Sequence, residues 1–140
     1  MQEQIITTMK GFMEEITQVK EVFDYPLQGN PSKFPAMIFY VMDWSNEFNS
    51  QKDNFIIERY NVSIILSSSG TTVKALYNTV MPKLSDKIRS ELAKNWNYGT
   101  VDGHRIWAKA INGVQEVTNE QSGTLVSLNI TLEVKYLADV

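Results

Sequence analysis

The residues that could do chemistry in this sequence are few, and each has a plainer reading beside it. His104 is the single histidine and stands next to Gly103, where a strand would begin. With no second histidine and no cysteine to share an ion, it cannot head a recognisable metal site, and it reads as a turn or edge-strand residue. The run Ser67-Ser68-Ser69-Gly70 has the texture of a phosphate loop or of a nucleophilic serine. A phosphate loop needs several glycines closing on lysine and Ser/Thr, and a serine nucleophile needs a general base in reach. The run has one glycine and no such lysine, so it reads as a strand-to-helix connector. Glu14 with Glu15, and Asp53 with Glu58, are the carboxylate groupings closest to an acid–base pair. The first pair falls on the solvated side of an amphipathic helix and the second brackets the start of a strand, so neither implies a shared pocket. In "RIWAK" the alternation of Arg105, Trp107 and Lys109 puts all three on one face of a strand. Such a mixture suits base stacking or, more readily in an acidic chain with scattered basic residues, a protein interface anchored by tryptophan and arginine.

Composition narrows the setting. The chain has 140 residues, 43% hydrophobic and 21% charged, with a net charge of -3. That suits one domain spanning residues 1–140 with a core of its own. A charge of this sign gives no footprint for nucleic acid or an anionic membrane. The absence of cysteine excludes disulfides, thiolate catalysis and cysteine-ligated metals. No apolar run approaches the roughly 20 residues that span a bilayer, and the first residues lack a signal-peptide pattern. No catalytic residue, cofactor, metal or membrane partner is expected.

The elements that must position these residues follow from periodicity. Ile5, Met9, Phe12, Met13, Ile16 and Val19 line one face of a helix from Gln2 to about Lys20. Pro26, Gly29, Pro31 and Pro35 then forbid a continuous helix or a central strand. Ala36 to Trp44 is almost wholly apolar, with Met37, Phe39 and Val41 on one side and Ile38, Tyr40, Met42 and Trp44 on the other, and predicts a strand buried on both faces, with Pro35 placed where a strand can start without losing a donor. Phe55 to Leu66 alternates and predicts a second strand. Thr71 or Thr72 is suited to capping a helix that keeps its spacing from Val73 to about Lys94, with Pro82 kinking or splitting it. His104 to Ile111 predicts a third strand. Val126 to Tyr136 alternates apolar with polar residues throughout and predicts a fourth, covered on one side. Together these give an α+β domain: a four-stranded, mainly antiparallel sheet with two helices packed on one face. Trp44 to Asn54 and Asn112 to Gly123 are expected as exposed loops. Apolar side chains inside them, Trp44, Phe48, Val114 and Val117, should sit at contacts with a partner.

In order and texture the chain resembles the tail-terminator (tail-completion) proteins of long-tailed bacteriophages. The features that carry the resemblance are the N-terminal amphipathic helix and "VFDYPLQGNPSKFPAMIFY", with its tyrosine–proline pair, loop and "FPA" opening the first strand. "ERYNVSIIL", a long helix and a closing hairpin ending "LNITLEVKYLADV" complete it, and Pro82 within the second helix departs from the pattern. The resemblance implies a non-enzymatic subunit of a hexameric ring that caps the tail tube, ends tube polymerisation and forms the joining surface for the head. The implied partners are further copies of the chain, the major tail-tube protein and a head-completion or connector protein, at the head–tail junction of a virion assembled in the host cytoplasm. DNA would pass through the lumen without specific binding. The expected interface residues are Trp44, Phe48, Arg59, Arg105, Trp107, Val114 and Val117. A head-side neck connector or stopper, and a small soluble module binding nucleic acid or another ligand, are the alternatives.

Overall fold

The computed structural model describes residues 2–14, 19–48, 54–68, 72–94, 97–101, 104–120 and 123–137. The first helix, α1 (Gln2–Glu14), presents Ile5, Met9 and Met13 one turn apart to the core. Val19 and Lys20 already lie outside it, and the Lys20 N–H donates to the Pro35 carbonyl at 2.8 Å. That bond sets β1 (Glu21–Phe23) parallel to the start of β2 (Ala36–Phe48). Pro35, in a cis peptide bond with Phe34, stands immediately before β2.

β2 and β3 (Asn54–Ser67) form an antiparallel hairpin, and so do β5 (His104–Glu120) and β6 (Gly123–Leu137). With β4 (Asn97–Val101) on β5, the sheet order is β1-β2-β3-β6-β5-β4. The expected four strands are therefore the four long central ones. Two short strands extend them to six, and the β1–β2 pair is parallel. Three-residue β1 and glycine-containing β4 are too short to show a period, which is why the sequence pattern passes over them.

The helix after β3 is where Pro82 matters. Thr72 caps it, its Oγ1 accepting from the Ala75 N–H at 3.2 Å. The segment runs as α2 (Val73–Ala75), a π-helical turn (Leu76–Val80) and α3 (Met81–Lys94). Proline lacks an N–H, so an ordinary turn would leave a carbonyl beneath it without a donor. The turn before it is widened, with the Met81 N–H reaching the Leu76 carbonyl five residues back. The backbone stays right-handed helical at Ala75, Leu76 and Met81, so Pro82 neither splits nor ends the helix.

Both helices cover the same face. Leu76, Met81, Leu84 and Ile88 join the α1 residues over Met37, Phe39, Tyr60, Val62, Ile64, Leu128, Ile130 and Leu132 in one cluster. The alternation of β6 is realised in full, with Val126, Leu128, Ile130, Leu132, Val134 and Tyr136 all buried. β2 is buried on both faces only from Ala36 to Phe39. There Pro26 and Leu27 of the proline-rich loop flank Ile38 and Tyr40 on the side away from the helices.

The expected loops are mostly strand. β2 continues through Phe48 and β5 through Glu120. Polar residues such as Ser45, Asn46, Asn112 and Thr118 look like loop in sequence, but on the outer strands of a sheet they are solvated while the backbone stays paired inward.

Candidate interface on the open face of the sheet

The face turned away from the helices is built by register. Directly opposed residues share a face, so Asp43, Arg59, Glu133 and Lys109 form one row across β2, β3, β6 and β5. The Arg59 Nε donates to Asp43 Oδ1 at 2.7 Å, on side chains about half exposed. This hydrogen bond, with the Asp43 charge and the neighbouring Glu133, raises the Arg59 pKa above its ordinary value.

The next row brings aromatic rings together. Trp107 lies opposite Lys135, and Phe55 approaches from β3, so the two rings meet edge-on over β6 with centroids 6.2 Å apart. The Arg105 guanidinium lies 5.3 Å from the Trp107 ring centre, and Lys135 Nζ lies 4.5 Å from that of Phe55. Lys135 also reaches Glu47 at 3.5 Å. Glu47, Phe55, Trp107, Lys109, Glu133 and Lys135 line a shallow cavity of about 420 Å³. Phe55 and Trp107 give it an apolar part, and Glu47, Lys109, Glu133 and Lys135 bring both signs of charge, a mixture suited to a protein interface. Further along the same face, Ser63 donates to Asn129 Oδ1 and receives from Asn61 Nδ2, both at 2.6 Å.

The seven expected interface residues do not form one patch. Arg59, Arg105 and Trp107 share the open face. Trp44 was expected on the side of Ile38 and Tyr40, but a β-bulge at Met42 shifts the register by one residue. Trp44 then lies opposite Glu58 on the helix side, where it is 63% exposed. A second bulge at Ile111 separates the two halves of β5 in the same way. Val114 faces the open side and Val117 the helix side; both are exposed, and both are strand rather than loop. Phe48 closes β2 with its side chain outside the described residues.

One ionisable group was missed as a buried site. Glu58 takes an inward slot between Ile56 and Tyr60 and is 2% exposed. Gln2 Nε2 donates to one carboxyl oxygen at 2.8 Å and the Tyr60 hydroxyl to the other at 3.2 Å, tying the first turn of α1 to β3. Burial raises its pKa, against the lowering effect of the Gln2 and Tyr60 hydrogen bonds. Burial, and then the Glu58 charge, pushes the Tyr136 hydroxyl up to about 12. The sequence signal was available, because Glu58 has the same parity as Ile56, Tyr60 and Val62.

Ser67 and Ser68 connect β3 to the hairpin turn of β5–β6: the Ser68 N–H donates to the Thr124 carbonyl, and its Oγ accepts from the Thr124 N–H. Ser69, Gly70, Glu15 and Asp53 lie outside the described residues. Among the described residues no group of three or more His, Asp or Glu is placed to hold a metal ion, and no helix is long and apolar enough to cross a membrane. No protein-family model and no curated protein matches the chain.

Proposed function

We propose that the chain is a structural assembly subunit of a long-tailed phage, one copy of a ring that caps the tail tube, ends its growth and receives the head. The observation that carries the reading is the placement of the two long hairpins. β2–β3 turns at the end of the sheet where Phe55 faces Leu137, and β5–β6 turns at the opposite end, beyond the pairing of Ser67 with Leu125. A subunit seated between tube and head needs a contact element on each side, and this sheet has the end of a hairpin at each end. The mixed-charge surface around Trp107 adds a third contact region. Net negative charge on every copy suits a lumen that repels DNA phosphates and lets the genome slide.

Deletion of the gene tests the role directly. Tails of abnormal length that fail to join heads are expected, whereas normal-length tails would overturn it. Loss of joining with normal tails would favour the head-side connector reading. A second class of reading has one specific observation behind it: Arg105, Trp107, Phe55 and Lys135 together form a cation-flanked aromatic surface able to stack a base. Binding of single-stranded nucleic acid that weakens with salt and disappears in Trp107→Ala would support that reading over the tail role.

A further inference from the structure

The sheet has two unfinished edges. β1 covers β2 only at Ala36–Ile38, and β4 covers β5 only at His104–Trp107. Among the described residues, Phe39–Phe48 on one edge and Ala108–Glu120 on the other have no strand beside them. Such edges ordinarily carry charge or are covered. Here Asp43, Glu47, Lys109 and Glu116 stand among exposed apolar residues. Among the described residues, five of the eight exposed large hydrophobic ones lie on these two stretches: Met42, Trp44, Ile111, Val114 and Val117.

We infer that copies of this chain join head to tail through these edges, with the β2 edge of one pairing antiparallel with the β5 edge of the next and Trp44 seating in the neighbour's cleft. Direction and a cleft point to this arrangement, and the register they set is consistent with it. β2 is antiparallel to β3, β3 to β6 and β6 to β5, so β5 runs opposite to β2. Simple head-to-tail repetition therefore sets β5 beside the next β2 in antiparallel sense with the helices on the same side. A contact of this kind is heterologous and can close into a ring.

Beside the β5 edge, on the helix side, lies a cleft of about 590 Å³ lined by Tyr77, Pro82, Arg89, Ile111, Gly113 and Gln115. Trp44 projects from the opposite edge on the same helix side. Opposing Trp44 to Gly113 of the neighbour places the indole over the one cleft residue without a side chain, within reach of Arg89 for a cation–π contact.

With Trp44 opposite Gly113, the bulge residues Met42 and Ile111 take up one extra residue on each strand. Asp43 then faces Val114 on the open side, and Glu47 faces Lys109, an opposite-charge pair. The paired stretch runs from Phe48 against Ala108 to Phe39 against Val117. β4 stops it at one end and β1 of the incoming copy at the other, so the neighbour is slid along the strands relative to a flush arrangement. A slide of this kind is what tilts strands when a sheet closes on itself.

The proposal deepens the ring reading by naming how one subunit meets the next, and its test separates the two. The cysteine-free chain permits clean disulfide trapping. The double variant Asp43→Cys with Val114→Cys, oxidised at high protein concentration, is expected to give a ladder of dimers, trimers and larger species on a non-reducing gel, with each single variant staying monomeric. Both positions are exposed, so folding is not at risk. Adding Trp44→Ala should cut the ladder yield by about tenfold or more while leaving the melting temperature unchanged. Single variants that dimerise as strongly as the double variant would show like edges meeting and would overturn the proposal, as would the absence of any ladder. A ladder untouched by Trp44→Ala would overturn the seating of Trp44. If gene deletion leaves tails normal while the ladder persists, the tail role falls and the pairing stands; the reverse outcome removes the pairing alone.

Discussion

The two faces of one sheet are built on opposite rules. The helix-covered face is a continuous apolar surface from Met37 to Tyr136, into which α1 and α3 each place one stripe. The open face is a set of crosswise rows: an ion pair at Asp43–Arg59, an edge-on ring pair at Phe55–Trp107, a hydrogen-bonded trio at Asn61, Ser63 and Asn129. Burial decides the first and pairing the second. Ile38 and Ser63 are buried on the open face, but water competes for its exposed groups, so contacts such as Asp43–Arg59 are worth little to the fold and remain free to serve a partner.

The largest expected difference is therefore between truncations on the two sides. Phe39→Ala removes a fully buried ring beneath the helices and should cost about 3–5 kcal/mol by urea unfolding. Thr131→Ala on the open side should stay within about 0.5 kcal/mol. Equal losses would mean that the open face is covered by its own chain and would break the contrast.

Glu58 is the exception that sharpens it, a carboxyl on the apolar side. Its folded pKa is raised, so the folded state holds the proton more tightly than the unfolded chain, whose value is near 4.5. The associated stability is fully present below the unfolded value and is lost as pH rises through the folded one. Melting temperatures across the acid-to-neutral range should show Glu58→Gln matching the parent in acid and exceeding it near neutrality. A parent that gains on the variant as pH rises would contradict this account.

A smaller effect is expected for the ring pair. A double-mutant cycle on Phe55→Ala and Trp107→Ala should return a coupling of about 0.5–1.5 kcal/mol. A coupling of zero would mean that the rings merely coexist over β6. Smallest of all, Arg59→Ala should leave the melting temperature where it was at both low and high salt, because the Asp43–Arg59 pair is exposed. A clear drop would place Arg59 among the residues that hold the sheet together.

What the sequence could disclose follows the same division. Helices and inward-facing strands repeat their apolar residues at fixed intervals, so α1, β3 and β6 were legible from spacing alone, while residue type left the cap open between Thr71 and Thr72. The open face depends on which strand lies beside which. Phe55 and Trp107 are far apart in the chain and meet only because β6 separates their strands. The outer halves of β2 and β5 were hidden for another reason: residues 45–48 and 112–120 are mostly polar, as loops are. Trp44 was assigned to the wrong side because period-two counting has no means of seeing a bulge.

The bulges at Met42 and Ile111 bear on how the protein can change. Deleting almost any residue within a strand inverts everything beyond it and carries polar groups into the interior. At these two positions the chain holds one residue more than its partner strand, so losing it returns the pairing to regularity and leaves every other side chain on its own face. In a deletion scan they should stand out as tolerated points within otherwise intolerant strands. Descendants of this chain could shorten there and straighten either outer strand without redesigning the core.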